Sequence, residues 1–299
     1  MLHVVGSPTD KFSFEISLMY SRSLIKANYK TNHVNVFAVV HPDGSWSFPS
    51  DLEEDFANTK SYRNSRAISM IEDISPHCAV IHVVCEKRSL YIAVLEMLGV
   101  PVIGSNSHVS ANIVDKGISR AILVQGGVKV ADGEVLVRGE EVRYGGRYPA
   151  VVKPTKMENS VGVEIVHNEE EMRAAVERGF AYGESVLVDE FIAGREVRCG
   201  VVELAAGEVT PLGVMEYRVD TQGIRRFEDK LEGDAGQLKQ AASTRTWLLE
   251  ARLEEELVKR VQDVAVKVHS VMGCTDFSQI DCRYGSKHFL ISISLMGSF

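Results

Sequence analysis

The stretch Val151–Val163, "VVKPTKMENSVGV", places a lysine at the end of an apolar run and follows it with a loop of small and polar residues. Val151 and Val152 are β-branched and lead into Lys153 and Pro154, so the run reads as a strand stopped by proline. Asn159, Ser160 and Gly162 then make a turn before a second apolar run, "VGVEIV". A lysine ammonium at a strand end can sit on a phosphate, and a loop of small residues lets backbone N–H groups approach phosphate oxygens. Alone this is a weak signal, because a strand-end lysine is more often an ordinary solvated residue, so the neighbouring segments decide the reading.

Downstream, "ESVLVDEFIAGREVRCGVVELAAGEVTPLGVMEYRVD" (184–220) supplies three or four antiparallel strands turning at Gly194 and Gly207. An acid pair, Asp189-Glu190, ends the first of them, and Glu196 follows seven residues after Asp189. Carboxylates there could accept from an adenine amino group and from ribose hydroxyls; taken alone, such acids are more often simply exposed at a strand end. Upstream, "VDKGISRAILVQGGVKVADG" reads as a helix over Lys116–Gln125, closed by two glycines and followed by a strand, with Lys116 at its opening. A further helix opens near Asn168, with acids in its first turn where the helix dipole favours them. Residues 221–245 are polar and hold Lys230, which reads as a long loop of the kind that is usually functional or disordered. An amphipathic helix follows, with apolar residues at 253, 257, 258, 261, 264, 265, 268, 271 and 272. Two strand-like runs close the chain as a hairpin turning at Tyr284-Gly285-Ser286: "SQIDCRYG", which carries Asp281, and "KHFLISISLMGSF", which offers serines.

The first hundred residues alternate strand and helix. "LHVVG", "VNVFAVV" (34–40) and "CAVIHVV" (78–84) are continuous apolar runs, as expected of strands buried on both faces. Between them, Ile16, Met19, Tyr20 and Leu24 recur at helical spacing, and a later helix ends at Gly99 before a short strand over Val100–Ile103. Strands separated by helices predict an open parallel sheet.

Composition narrows the class. With 299 residues, 45% hydrophobic and 25% charged, the chain can build two or three packed domains. Its net charge of −8 argues against nucleic acid as the main partner, since phosphate-backbone binding needs a basic face. No apolar run approaches the roughly 20 residues that span a bilayer, so no membrane partner is expected. The opening "MLHVVGSPTDKFSFE" lacks a cationic segment before an apolar one, so no signal peptide is expected and a cytoplasmic location is. Five cysteines without Cys-x-x-Cys spacing read as free thiols rather than a zinc site. No G-x-G-x-x-G follows the first strand, which weakens a dinucleotide-binding oxidoreductase.

In this order and spacing, the quoted pieces resemble the ATP-grasp superfamily in its D-alanine–D-alanine ligase branch. The resemblance is closer still to the ligases that join serine or a similar amino acid to mycosporine-glycine. It rests on "HVVGSPTDKFSFEISLMYSRSL", "PDGSWSFPSDL", "VVKP…ENSVGV", "FIAGREVRCG", "EYRVDTQGIRRFEDKL" and "MGCTDFSQIDCR", and it covers nearly the whole chain. It implies a mixed α/β (α+β) ATP-grasp fold: an N-terminal open parallel-sheet domain over 1–107, a small lid domain over 108–192, and a C-terminal antiparallel-sheet domain over 193–299. It implies ATP and Mg2+ as cofactors. Lys116 and Lys153 would hold phosphates, and Asn159, Ser160 and Gly162 would form the loop closing over them. Asp189 would meet the adenine amino group beside backbone contacts from Glu190 to Ile192. Glu196 would bind the ribose, Lys230 the terminal phosphate, and Asp281 magnesium. Glu15 would face the amino-acid substrate, and Arg198 and Arg283 would contact a carboxylate or acyl phosphate, or else form simple ion pairs. The substrates would be a small-molecule carboxylate and an amino acid, and a homodimer is usual in the family.

The resemblance also defines departures. The family's closing strand carries a glutamate that bridges magnesium ions, and the matching position here is Ser292. A neutral hydroxyl is a poor ligand for a hard cation. The family also runs on beyond the position matching Phe299, and it has glycines near "VVCEKRSLY" that this chain lacks. Two expectations therefore stand: a ligase forming an amide through an acyl phosphate, or a nucleotide-binding ATP-grasp protein with impaired catalysis.

Overall fold

The computed structural model describes residues 1–27, 33–53, 56, 59–204, 207–220, 222–226 and 253–285, and the backbone of five short strands beyond Arg226. Two compact units emerge. The first is built on Met1–Ala111, joined by the strands between residues 231 and 240; the second comprises Asn112–Lys230 and Ala241–Gly297.

In the first unit, β1 (Leu2–Gly6), β2 (Val36–Val40), β3 (Trp46–Ser47), β4 (Ala79–Ile81) and β5 (Val102–Ile103) form one sheet in the order β3-β2-β1-β4-β5. Every pairing is parallel except β2 with β3. The continuous apolar runs are explained by burial on both faces. Leu2, Val4, Ala38 and Val40 face one core with Ala67 and Ile71 of α2 (Asn64–Ile74) and Ile92 and Leu95 of α3 (Arg88–Met97). Val5, Phe37 and Val39, one residue out of phase, face the other core with Leu18 of α1 (Lys11–Ala27). Ser17, buried on α1, accepts from Gly6 N–H at 2.7 Å and donates to the His82 carbonyl at 2.6 Å. The helix α4 (Ser107–Val114) follows β5.

The second unit opens with α5 (Lys116–Gln125), over the residues its sequence predicts. Asp115 caps it, accepting from Gly117 and Ile118 N–H. β6 (Gly133–Val137), β7 (Ala150–Pro154), β8 (Glu164–Val166) and β9 (Ser185–Glu190) make an antiparallel sheet in the order β6-β9-β7-β8. Against it packs α6 (Glu169–Gly179), capped by Asn168, through Met172, Ala175 and Val176. β10 (Arg195–Leu204) and β11 (Glu208–Tyr217) form a hairpin, so the region expected to give three or four strands gives three. After β12 (Leu231–Glu232), β13 (Lys239–Gln240) and β14 (Leu248–Glu250) comes α7 (Glu255–Met272). Its Val261, Ala265, Val268 and Met272 are buried, and the helix packs on β10, β11 and the strand β15 (Phe277–Tyr284).

The closing hairpin is present as expected: β16 (Phe289–Leu290) and β17 (Leu295–Met296) both pair antiparallel with β15. Ser292 and Lys230, and the expected loop over 221–245 apart from its short strands and residues 222–226, lie outside the described residues. Among the described residues no helix is long and apolar enough to cross a membrane. The five cysteines are free thiols.

Candidate nucleotide site

One cleft in the second unit gathers side chains from four separated segments. Lys116 opens α5; Lys153 ends β7; Asp189 and Glu190 end β9; Glu196, Asp281 and Arg283 stand on β10 and β15. Asn159, Ser160 and Ile192 complete it from the two loops between.

Strand alternation decides what faces the cleft. On β10, Val197, Cys199 and Val201 are buried on the α7 side, so Glu196 and Arg198 share the opposite face. The antiparallel register sets Glu196 against Arg283 and Arg198 against Asp281. The result is a checkerboard of opposite charges at neighbouring positions. Glu196 also lies 3.9 Å from Arg225, whose guanidinium stacks 3.6 Å from the Tyr217 ring centroid.

Lys153 is buried and pairs with Asp189, Nζ to Oδ2 at 2.6 Å. The other Asp189 oxygen lies 3.6 Å from Arg120 Nε and has no hydrogen-bond partner. Gly133, across from Asp189 on β6, is needed there: a Cβ would fall 2.2 Å from Asp189 Oδ1. Lys116 Nζ donates to the Met157 carbonyl and approaches that of Thr155. Burial, followed by the charge of nearby Lys153, pulls the Lys116 pKa down to about 8. Two cations that oppose each other in a partly dehydrated cleft create a demand for an anion.

The loop over 157–163 bends in an unusual way. Asn159 and Ser160 both hold positive φ, 54° and 63°, and Gly162 holds 71°. Consecutive left-handed residues are costly for side chains other than glycine, and such strain concentrates where a loop grips a ligand.

Arg283 is placed differently from a free anion receptor. Its Nη1 donates to Gly223 O at 2.7 Å and its Nη2 to Gly194 O at 3.0 Å, while Nε is buried without a partner. It clamps two loops and leaves one donor uncommitted. Arg198 is turned onto Asp281, with Nε to Oδ1 at 2.5 Å and Nη2 to Oδ2 at 2.7 Å. Glu15 lies on α1 in the first unit, 3.8 Å from Lys11. Three residues that sequence reasoning passed over also matter here. Arg120 follows Lys116 at i+4 on the same helix face, a spacing that could have exposed it. Arg225 and Tyr217 carry no local signal, because their stacking depends on tertiary placement.

The residues fit a polyphosphate nucleotide. Uncommitted buried polar atoms of both signs, on Asp189, Arg120, Arg225 and Arg283, are matched by a ligand with a polar base and an anionic tail. Magnesium does not fit in the same way. Both oxygens of Asp281 are occupied by Arg198, and among the described residues no group of three or more His, Cys, Asp or Glu side chains could hold a metal.

Comparison with known proteins identifies the family and the fold. The family described as "D-ala D-ala ligase C-terminus" matches residues 123–293. A D-alanine–D-alanine ligase of Citrifermentans bemidjiense is 34% identical over 190 residues, covering 62% of this chain and 56% of that relative. The matched region thus spans little more than half the length of this curated relative. In structure, the VanG D-Ala:D-Ser ligase from Enterococcus faecalis superposes with a TM-score of 0.78 at 20% identity, over 99% of this chain and 89% of that one. A D-alanine–D-alanine ligase from Bacillus anthracis complexed with ATP gives 0.69 at 18% identity, over 99% and 85%. The chain therefore belongs to the D-alanine–D-alanine ligase C-terminal family and has the ATP-grasp fold.

Proposed function

We propose that the protein is an ATP-dependent carboxylate–amine ligase. The observation that carries this reading is the convergence of Lys116, Lys153, Asp189 and Glu196 on one cleft from separate segments. ATP would transfer its terminal phosphoryl group to a substrate carboxylate, giving an acyl phosphate and ADP. An amine would then attack the acyl carbon, expel phosphate and form the amide.

The chain's part in this is positioning and charge. Lys116 and Lys153 hold phosphate oxygens, with the backbone of the Asn159–Gly162 loop closing over them. Asp189 accepts from the adenine amino group, and Glu196 accepts from ribose hydroxyls. Lys230 is the further candidate for the terminal phosphate, and Glu15 for the amino-acid substrate; both assignments rest on the resemblance. The resemblance also points to mycosporine-glycine as carboxylate and serine or a similar amino acid as amine.

A second reading has its own observation. Asp281 is committed to Arg198, and position 292, which the resemblance matches to the family's magnesium-bridging acid, is serine. A protein that binds ATP and does not turn over would look the same at these two positions. ADP release separates the readings. The ligase produces ADP only when carboxylate and amine are both present, tested with mycosporine-glycine plus serine and with D-alanine plus D-alanine or D-serine. Stabilisation by ATP with no ADP under any pair supports the second reading.

A further inference from the structure

We propose that Arg198 stands at Asp281 in the place a divalent cation would take, so that the protein supplies a built-in positive charge where a metal-binding carboxylate would need a metal. The inference rests on the nucleotide reading of the cleft.

The pairing is set by the fold rather than by a flexible surface contact. Arg198 and Asp281 are directly opposite on adjacent strands, and both carboxylate oxygens receive a guanidinium donor. Their side chains are 19% and 8% exposed, so water screens the pair weakly. The guanidinium is held on other sides as well. It lies 5.0 Å from the Tyr217 ring centroid, and Gln279 accepts from Nη2 at 3.1 Å once its amide is assigned with the oxygen toward the guanidinium. A metal could reach Asp281 only by displacing this fork and leaving a buried arginine unpaired, which is strongly unfavourable.

The surrounding residues fit the same conclusion. Residues 287–299 include no aspartate or glutamate, and the two short strands among them, β16 and β17, pair with β15. One carboxylate supplies at most two of the six or more oxygens a hard cation prefers, so a metal would hold Asp281 less firmly than the Arg198 fork does. Beside a triphosphate a bare aspartate would repel the ligand. Paired with Arg198, this corner of the cleft is neutral.

Two titrations test the assignment. In the first, ADP is titrated into wild type, Arg198→Thr, Arg198→Lys and Asp281→Asn, with EDTA and with millimolar Mg2+. The wild-type dissociation constant should change by less than about threefold between the two conditions, and Arg198→Lys should behave like wild type. Arg198→Thr, which frees Asp281, should bind at least about tenfold more tightly with Mg2+. Tightening by tenfold or more in wild type that is lost in Asp281→Asn would overturn the proposal. In the second, Mn2+ is titrated into nucleotide-free wild type and Arg198→Thr, with free Mn2+ read by electron paramagnetic resonance. A site gained in Arg198→Thr and absent from wild type supports the assignment; equal binding in both overturns it. If no form binds ADP, the nucleotide reading fails and this second titration still decides the role of Arg198.

Discussion

Lys153 Nζ lies 2.6 Å from Asp189 Oδ2, with both side chains more than nine-tenths buried. The two arrive diagonally on adjacent strands, since Lys153 is opposite Leu187 and Asp189 opposite Val151. Breaking a buried pair from one side leaves an uncompensated charge, which costs about 3–5 kcal/mol. Lys153→Met should therefore lower the urea midpoint sharply, leaving Asp189 with Arg120 at 3.6 Å as its nearest cation. Adding Asp189→Leu should recover most of the loss. An additive double variant would show that the pair is not coupled.

Lys116 should make nucleotide binding take up protons. Its pKa of about 8 in the folded protein lies below the ordinary 10.5, because burial and then Lys153 oppose its charge. Between pH 8 and 10.5 the unfolded chain holds the extra proton, so this group makes stability rise with pH across that window. Phosphate oxygens would restore the charge. At pH 8, calorimetry in buffers of different ionisation heat should show uptake of about half a proton per ATP, absent in Lys116→Met.

Gly162 is a position where a side chain has no room. It holds φ +71°, and a Cβ would fall 2.9 Å from Pro154 Cγ and 3.0 Å from Tyr182 Cε2. Gly162→Ala should cost about 1–2 kcal/mol by combined strain and collision. Because the loop is displaced, ATP affinity should fall as well. Thermal unfolding and nucleotide titration on the same sample check both.

The first unit should be acid-labile through a buried histidine pair. His3 Nδ1 and His82 Nε2 are 3.0 Å apart, with the rings stacked and His82 Nδ1 unpartnered. Burial, then the neighbouring His3, holds the His82 pKa down to about 3, and burial lowers His3 too. A depressed histidine is neutral in the fold and charges on unfolding, so stability is present above the unfolded pKa near 6.5 and lost as pH falls through that window. The His82 contribution to that loss should reach about 2 kcal/mol by pH 5. His82→Gln should flatten the dependence of the melting temperature on pH; an unchanged slope contradicts this origin.

Legibility in the sequence followed the reach of each signal. The helix at Lys116–Gln125 could be read to the residue because Asp115 caps it and Gly126-Gly127 end it locally. The strands at Leu2–Gly6 and Val36–Val40 were clear because burial on both faces leaves a continuous apolar run. The helix at Asn64–Ile74 lacks a local start signal, since Arg63 precedes it without a side-chain cap, and the two-residue strand at Trp46–Ser47 is too short for a pattern. At the site, lysines and acids stood out by motif spacing. The Arg198–Asp281 pair did not, because it joins positions 83 residues apart and exists only through strand register.

The central claim is that lysines from separate segments clasp a triphosphate, and calorimetric titration of ATP and AMP into wild type and Lys116→Met tests it most directly. The account predicts one ATP per chain, bound more tightly than AMP. It also predicts that Lys116→Met weakens ATP by at least about tenfold and leaves AMP nearly unchanged. Absence of ATP binding by wild type, or equal ATP affinity in the two proteins, would contradict it.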